Sequence, residues 1–129
     1  MQLKSLLPLL FLALATTLVF AAIGDGNWLN RVPERERLKA NPFDNDQRAV
    51  AAGAKLFRQN CSSCHGDEGI GRDKKPNLHN DRVRGASPGE LQWLLTNGSM
   101  RNGMPSWSRL PEQQRWQIVS YLKSLESSR

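Results

Sequence analysis

The stretch Cys61-Ser62-Ser63-Cys64-His65 decides how this chain is read. Two thiols three positions apart, followed at once by a histidine, form the attachment signature of a c-type haem. Set one turn apart, both thiols can add across the vinyl groups on one edge of a porphyrin and hold it by thioether bonds. The next residue then lies beneath the ring, where its imidazole reaches the iron as the proximal ligand. The expected cofactor is therefore one covalent haem c, carried by Cys61 and Cys64 with His65 on the iron. Two other chemistries use the same residues. A thiol–disulfide pair belongs in the strand–helix setting of a thioredoxin-like motif, which the flanking sequence lacks. A structural zinc site wants four ligands, and beyond the motif only His79 is left over.

The first twenty or so of the 129 residues read as a targeting segment. Lys4 supplies a short positive region, Leu6 to Phe20 an apolar run, and Val19 with Ala21 the small-residue signal for a cut after Ala21. The alternative is an uncleaved anchor, because Leu6 to Ile23 is 18 residues, the short limit for a bilayer span. Pro8, Thr16 and Thr17 weaken that helix. Haem c is attached outside the cytoplasm, so export agrees with the motif and the expected location is periplasmic, on the membrane only if the segment is retained. Both cysteines are used by the haem, which leaves no structural disulfide. The remaining length suits one small domain with a marginal core. A buried porphyrin supplies the missing apolar surface, so the haem-free chain is expected to fold poorly.

The expected organisation is a signal peptide over 1–21, a polar arm or linker over 22–44 and the haem domain over 45–129. The arm contains Pro33 and Pro42, which argue against one continuous helix, although residues 33–39 can form a short one. It reads as a spacer, or as a strap laid on the domain through Trp28, Val32 and Phe43. A helix is predicted from about Asn45 to Cys61, started by Asp44 with Gln47, with Ala49, Ala52, Gly53, Leu56 and Phe57 at helical spacing. Gly53 costs roughly 1 kcal/mol in a helix interior, which points to close approach by another element unless the glycine is incidental. Gly66 to Ala86 reads as a loop wrapped on one side of the haem. Ser87-Pro88-Gly89-Glu90 is a capping box that opens a second helix, ended at Asn97-Gly98. Ser99 to Leu110 reads as irregular. A last helix runs from Pro111-Glu112 to about Leu125, with Trp116, Val119, Leu122 and Leu125 as its buried stripe. With no alternating run, the fold class is all-α.

The second axial ligand separates two kinds of haem chemistry, since an open iron binds small molecules and a closed one exchanges electrons. The candidates are Met104, Met100 and His79. Met104 is preferred, because it sits between Gly103 and Pro105 on a polar, irregular segment where a methionine has no helical core to fill.

Residues from about 47 to 125 resemble a class I cytochrome c, in particular its short bacterial members. The resemblance rests on Ala-Gly-x-x-Leu-Phe (52–57), Cys-x-x-Cys-His-Gly (61–66), Gly-Met-Pro-Ser-Trp (103–107) and Trp-x-x-x-x-Tyr-Leu (116–122). It implies a small helical domain wrapped around one covalent haem, with His65 and Met104 as the axial pair. It further implies that the first and last helices cross at Gly53, beside Phe57, Trp116 and Tyr121. By position, Pro76 would present its carbonyl to His65, a bond that fixes the imidazole tautomer. Trp107 would lie at the haem edge or bond a propionate, or serve as a plain core tryptophan. The His65-to-Met104 separation of 39 residues is shorter than in mitochondrial-type relatives, and their lysine-rich haem rim is absent. The short members also resemble the cytochrome partners of periplasmic quinoprotein dehydrogenases.

The expected function is therefore single-electron transfer between redox proteins, a donor dehydrogenase and an acceptor oxidase or other cytochrome, without enzymatic chemistry. The alternatives are a membrane-tethered cytochrome subunit of a dehydrogenase or oxidase complex, and a haem enzyme or gas sensor with an open distal site. The chain carries 18 basic against 12 acidic residues, a formal charge of +6. These charges are interspersed and no nucleic-acid motif accompanies them, so nucleic acid is not an expected partner. Arg72, Lys74, Lys75, Arg82 and Arg84 crowd the haem loop and are candidates for docking to an acidic patch on a redox partner.

Overall fold

The computed structural model describes residues 27–125. The proposed leader lies outside the described residues. No strand occurs among the residues described, and the elements are six helices with two short 3-10 turns. In chain order they are α1 (Glu34–Arg37), α2 (Gln47–Asn60), α3 (Ser62–His65), α4 (Asp81–Gly85), α5 (Pro88–Asn97) and α6 (Glu112–Ser124). No helix among the described residues is long and apolar enough to cross a membrane.

Helix α2 starts two residues later than the sequence predicts, and its cap is Asp46 rather than Asp44. Asn45 takes a left-handed φ of 59°, which inserts a further turn residue. The Asp46 carboxylate then accepts hydrogen bonds from the backbone N–H groups of Arg48 (2.9 Å) and Ala49 (3.4 Å). These are donors that a helix start otherwise leaves unpaired. Helix α5 has the expected capping box: Glu90 N donates to Ser87 Oγ at 3.1 Å and Ser87 N donates back to the Glu90 carboxylate at 2.7 Å.

Helices α2 and α6 form the main crossing, and Gly53 sits at it. A Cβ built on Gly53 would lie 1.9 Å from the Gln117 carbonyl oxygen and 3.0 Å from Tyr121 Cβ. The two backbones therefore touch where no side chain fits, which decides between close approach and an incidental glycine. Phe57 and Tyr121 stack beside the contact at 5.2 Å between ring centroids, tilted by 53°. Phe57, Ile118 and Val119 are almost wholly buried. Gly53→Ala is expected to force the helices apart and to destabilise the fold by roughly 1–3 kcal/mol, despite alanine's better helix propensity. Chemical denaturation of the haem-loaded protein checks this, and a stabilised variant would contradict it.

The segment 66–86 is not wholly a loop. Asn80 accepts a hydrogen bond from Val83 N at 3.0 Å and so caps the five-residue helix α4, which buries Val83. Residues 28–43 lie against the domain. Trp28 and Val32 belong to its core, and Asn41, also buried, donates from Nδ2 to Ser120 Oγ on α6 at 2.9 Å.

Candidate functional site

A cavity of about 720 Å³ opens between α2, α4, α5 and the segment 99–107, and it gathers the chemistry-bearing residues. Cys61, Cys64, His65, Pro76, Met104 and Trp107 all line it. Its apolar floor comes from Phe57, Leu91, Leu95, Ile118 and Leu122, supplied by three different helices.

Helix α3 is a single turn that presents the cysteines and His65 together. His65 N donates to Cys61 O at 2.9 Å, so thiols and imidazole share one rigid unit. The two cysteines form no disulfide. Burial, followed by the neighbouring Cys64, pushes the Cys61 thiol up to about 11. A dithiol redox site needs the opposite, a depressed thiol that ionises near neutrality. Among the described residues no three His, Cys, Asp or Glu side chains come together as a metal-binding group, which leaves the zinc reading without ligands.

His65 Nδ1 lies 3.2 Å from the Pro76 carbonyl oxygen. The carbonyl can only accept, so Nδ1 carries the proton and Nε2 keeps its lone pair. Burial holds His65 below the usual imidazole range, partly offset by the Pro76 bond, and the Lys75 charge lowers it further. The ring is therefore neutral near pH 7, the state a metal ligand requires.

Of the three distal candidates, only Met104 lines the cavity. Met100 is 72% exposed. His79 Nε2 is engaged with the Glu68 carbonyl at 2.8 Å. The backbone of Met104 is pinned by an antiparallel bridge to Ser99, with Ser99 N to Met104 O at 2.8 Å and Met104 N to Ser99 O at 3.1 Å. Just beyond, Ser106 Oγ donates to Thr96 O at 2.6 Å and Trp107 N to Leu95 O at 2.8 Å. These bonds fasten the irregular segment that carries Met104 to the end of α5. Trp107 is half-buried, and the Arg109 guanidinium stacks on its outer face at 4.1 Å.

The sequence places Trp28 on a strap but gives it no part in the site, whereas the structure sets it in the cavity wall, 33 positions before Cys61. Of the loop cations it singles out, Lys74, Lys75 and Arg82 line the cavity, and Arg101, which nothing local marks, joins them at the rim.

A haem c fits this site. The volume lies in the ~300–1,000 Å³ range of small-molecule sites, with an apolar floor beneath a polar and cationic mouth. The donor set is two thiols, a neutral imidazole and a soft thioether, which suits iron in a porphyrin. Fold and donor set together define a class I c-type cytochrome. Residues 48–122 match the family described as cytochrome c oxidase, cbb3-type, subunit III, and the chain belongs to that family. It is similar to the cbb3-type cytochrome c oxidase subunit FixP of Sinorhizobium medicae, with 36% identity over 70% of this chain and 34% of that protein. It is also similar to cytochrome c550 of Pseudomonas aeruginosa, with 29% identity over 76% of this chain and 67% of that protein. Among solved structures, cytochrome cL of Methylophaga aminisulfidivorans superposes with a TM-score of 0.56 and 25% identity, covering 64% of this chain and 57% of that one. The chain spans about a third of the length of the FixP protein it matches.

Proposed function

We propose that this protein is a periplasmic electron carrier with one haem c, bonded covalently through Cys61 and Cys64 and ligated by His65 and Met104. The observation that carries the reading is the convergence of these four side chains on one cavity, with Met104 the only distal candidate that lines it. Bound there, the haem supplies a one-electron Fe(II)/Fe(III) couple. The chain's own residues do the rest. The thiols of Cys61, at the cap of α3, and Cys64, within it, would hold the porphyrin edge. Pro76 keeps the proton on His65 Nδ1 and leaves Nε2 free to ligate. Met104 fills the distal position with a soft, neutral donor that favours Fe(II). The apolar floor excludes water and further disfavours the more highly charged ferric state.

The four cations at the cavity mouth, Lys74, Lys75, Arg82 and Arg101, favour a redox partner that presents an acidic surface. That partner is a dehydrogenase, an oxidase or another cytochrome. A tethered subunit of an oxidase complex uses the same haem chemistry, and the likeness to the FixP protein favours it as the second reading. The domain boundaries proposed are a leader over 1–21, an arm over 22–44 and the haem domain over 45–129.

The test is carbon monoxide binding by the reduced, haem-loaded protein at neutral pH, together with electron transfer to an acidic redox protein. A closed distal site is expected to refuse carbon monoxide, and the transfer rate to fall steeply as salt screens the cationic rim. Tight carbon monoxide binding by the unmodified protein would overturn the carrier reading in favour of a ligand-binding haem.

A further inference from the structure

The family match begins at residue 48, yet one wall of the cavity comes from before it. Trp28 lies in the 3-10 turn Trp28–Arg31, is 6% exposed, and lines the same cavity as His65 and Met104. Apolar burial alone does not hold it there. The Arg37 guanidinium binds three groups at once: Nε donates to the Val32 carbonyl at 3.2 Å, one terminal nitrogen to the Leu29 carbonyl and the other to the Glu90 carboxylate. It thus ties the turn that carries Trp28 to the first turn of α5. Glu90 is 8% exposed, so the Arg37–Glu90 pair is largely shielded from water. Ser87 Oγ donates to the Arg37 carbonyl at 2.9 Å from the same capping box. At this contact a Cβ on Gly89 would stand 1.9 Å from the Glu36 carbonyl oxygen, so α1 lies backbone to backbone on α5.

We propose that residues 28–37 form a strap, locked to α5 by the Arg37–Glu90 pair, whose Trp28 ring closes the haem cavity and thereby sets the water access and reduction potential of the bound haem. This rests on the haem reading given above and adds a wall that the 48–122 domain does not contain. Water reaching the haem stabilises the more highly charged ferric state, so a closed strap raises the potential. Opening the strap must break an ion pair with a nearly buried carboxylate and strand two carbonyls. Removing Arg37 therefore raises the open population by roughly tenfold or more.

The experiment compares the haem-loaded wild type with Trp28→Phe, Trp28→Ala, Arg37→Lys and Arg37→Met, each shown to be folded by far-ultraviolet circular dichroism. The readouts are the midpoint of a redox titration and the association rate of cyanide with the ferric haem, the latter in a Met104→Ala background so that entry to the cavity and not loss of the thioether limits it. Expected is a downward shift in potential that grows from Trp28→Phe to Trp28→Ala, and cyanide association roughly tenfold faster in Arg37→Met. Arg37→Lys should fall between, because a lysine keeps the pair with Glu90 but loses the fork to Leu29 and Val32. Should Trp28→Ala not fold, Trp28→Phe and Arg37→Lys decide the matter. Folded, haem-loaded variants with wild-type potential and cyanide rate would reduce Trp28 to core filler and overturn the strap. A wild type that takes up no haem would instead defeat the carrier reading itself.

Discussion

Replacing Cys61 and Cys64 together by serine is expected to yield a chain that keeps much of its helix but loses its fixed packing. The magnitude follows from the cavity. The cavity is open to solvent, so without its occupant water would stand against its apolar walls. Each Leu- or Phe-sized wall residue left wet forfeits about 1.5–3 kcal/mol. A domain this size has roughly 5–15 kcal/mol of stability in total, so a few such residues remove most of it. The walls must therefore collapse or come apart. Phe57, Leu91, Ile118 and Leu122 line both cavity and core, so the collapse reaches the α2–α6 crossing. Far-ultraviolet circular dichroism should retain helix, near-ultraviolet signals should vanish, and a hydrophobic dye should bind. A sharp cooperative melt with native near-ultraviolet signals in the double variant would contradict this.

What the sequence makes legible follows from how local each signal is. The motif at 61–65 is read from five adjacent residues, because one helical turn determines the whole arrangement. Ser87–Glu90 is equally local, and the structure has both of its bonds. Gly53 is legible as an anomaly, a helix interior paying for a missing side chain, although only the fold identifies Gln117 as what it meets. Other features depend on distant partners or single dihedrals. Helix α4 buries one residue, Val83, and is too short to show a period. The α2 cap moves from Asp44 to Asp46 because Asn45 turns left-handed, and no pattern of letters distinguishes those neighbouring acids. Trp28 lines the cavity from a turn that Arg37 ties to Glu90, 53 positions away from it. The haem site is thus written in two layers: the donors in short motifs, and the enclosure in long-range contacts.

Met104→Ala is expected to convert the protein from a closed electron carrier into an open, ligand-binding haem. The thioether is the only distal donor among the three candidates that lines the cavity, so neither Met100 nor His79 is positioned to replace it. The loss should leave the scaffold largely intact, because Ser99 holds residue 104 through backbone bonds that alanine keeps. Four changes should then appear together. The weak far-red band of the oxidised protein, a marker of methionine on ferric iron, disappears. The reduced protein binds carbon monoxide. Its redox activity becomes sensitive to added ligands, and the potential falls by a sizeable part of the ~0.8 V over which axial ligands move a haem. Met100→Ala should change none of these, since that side chain is 72% exposed. Met104→His separates the two roles of the thioether. An imidazole there keeps the iron closed, so carbon monoxide stays excluded, but a harder, more basic donor favours Fe(III) and the potential still falls. If Met104→Ala kept the far-red band and Met100→Ala lost it, the ligand would be Met100, and the fastening of residues 99–107 to α5 would need another purpose.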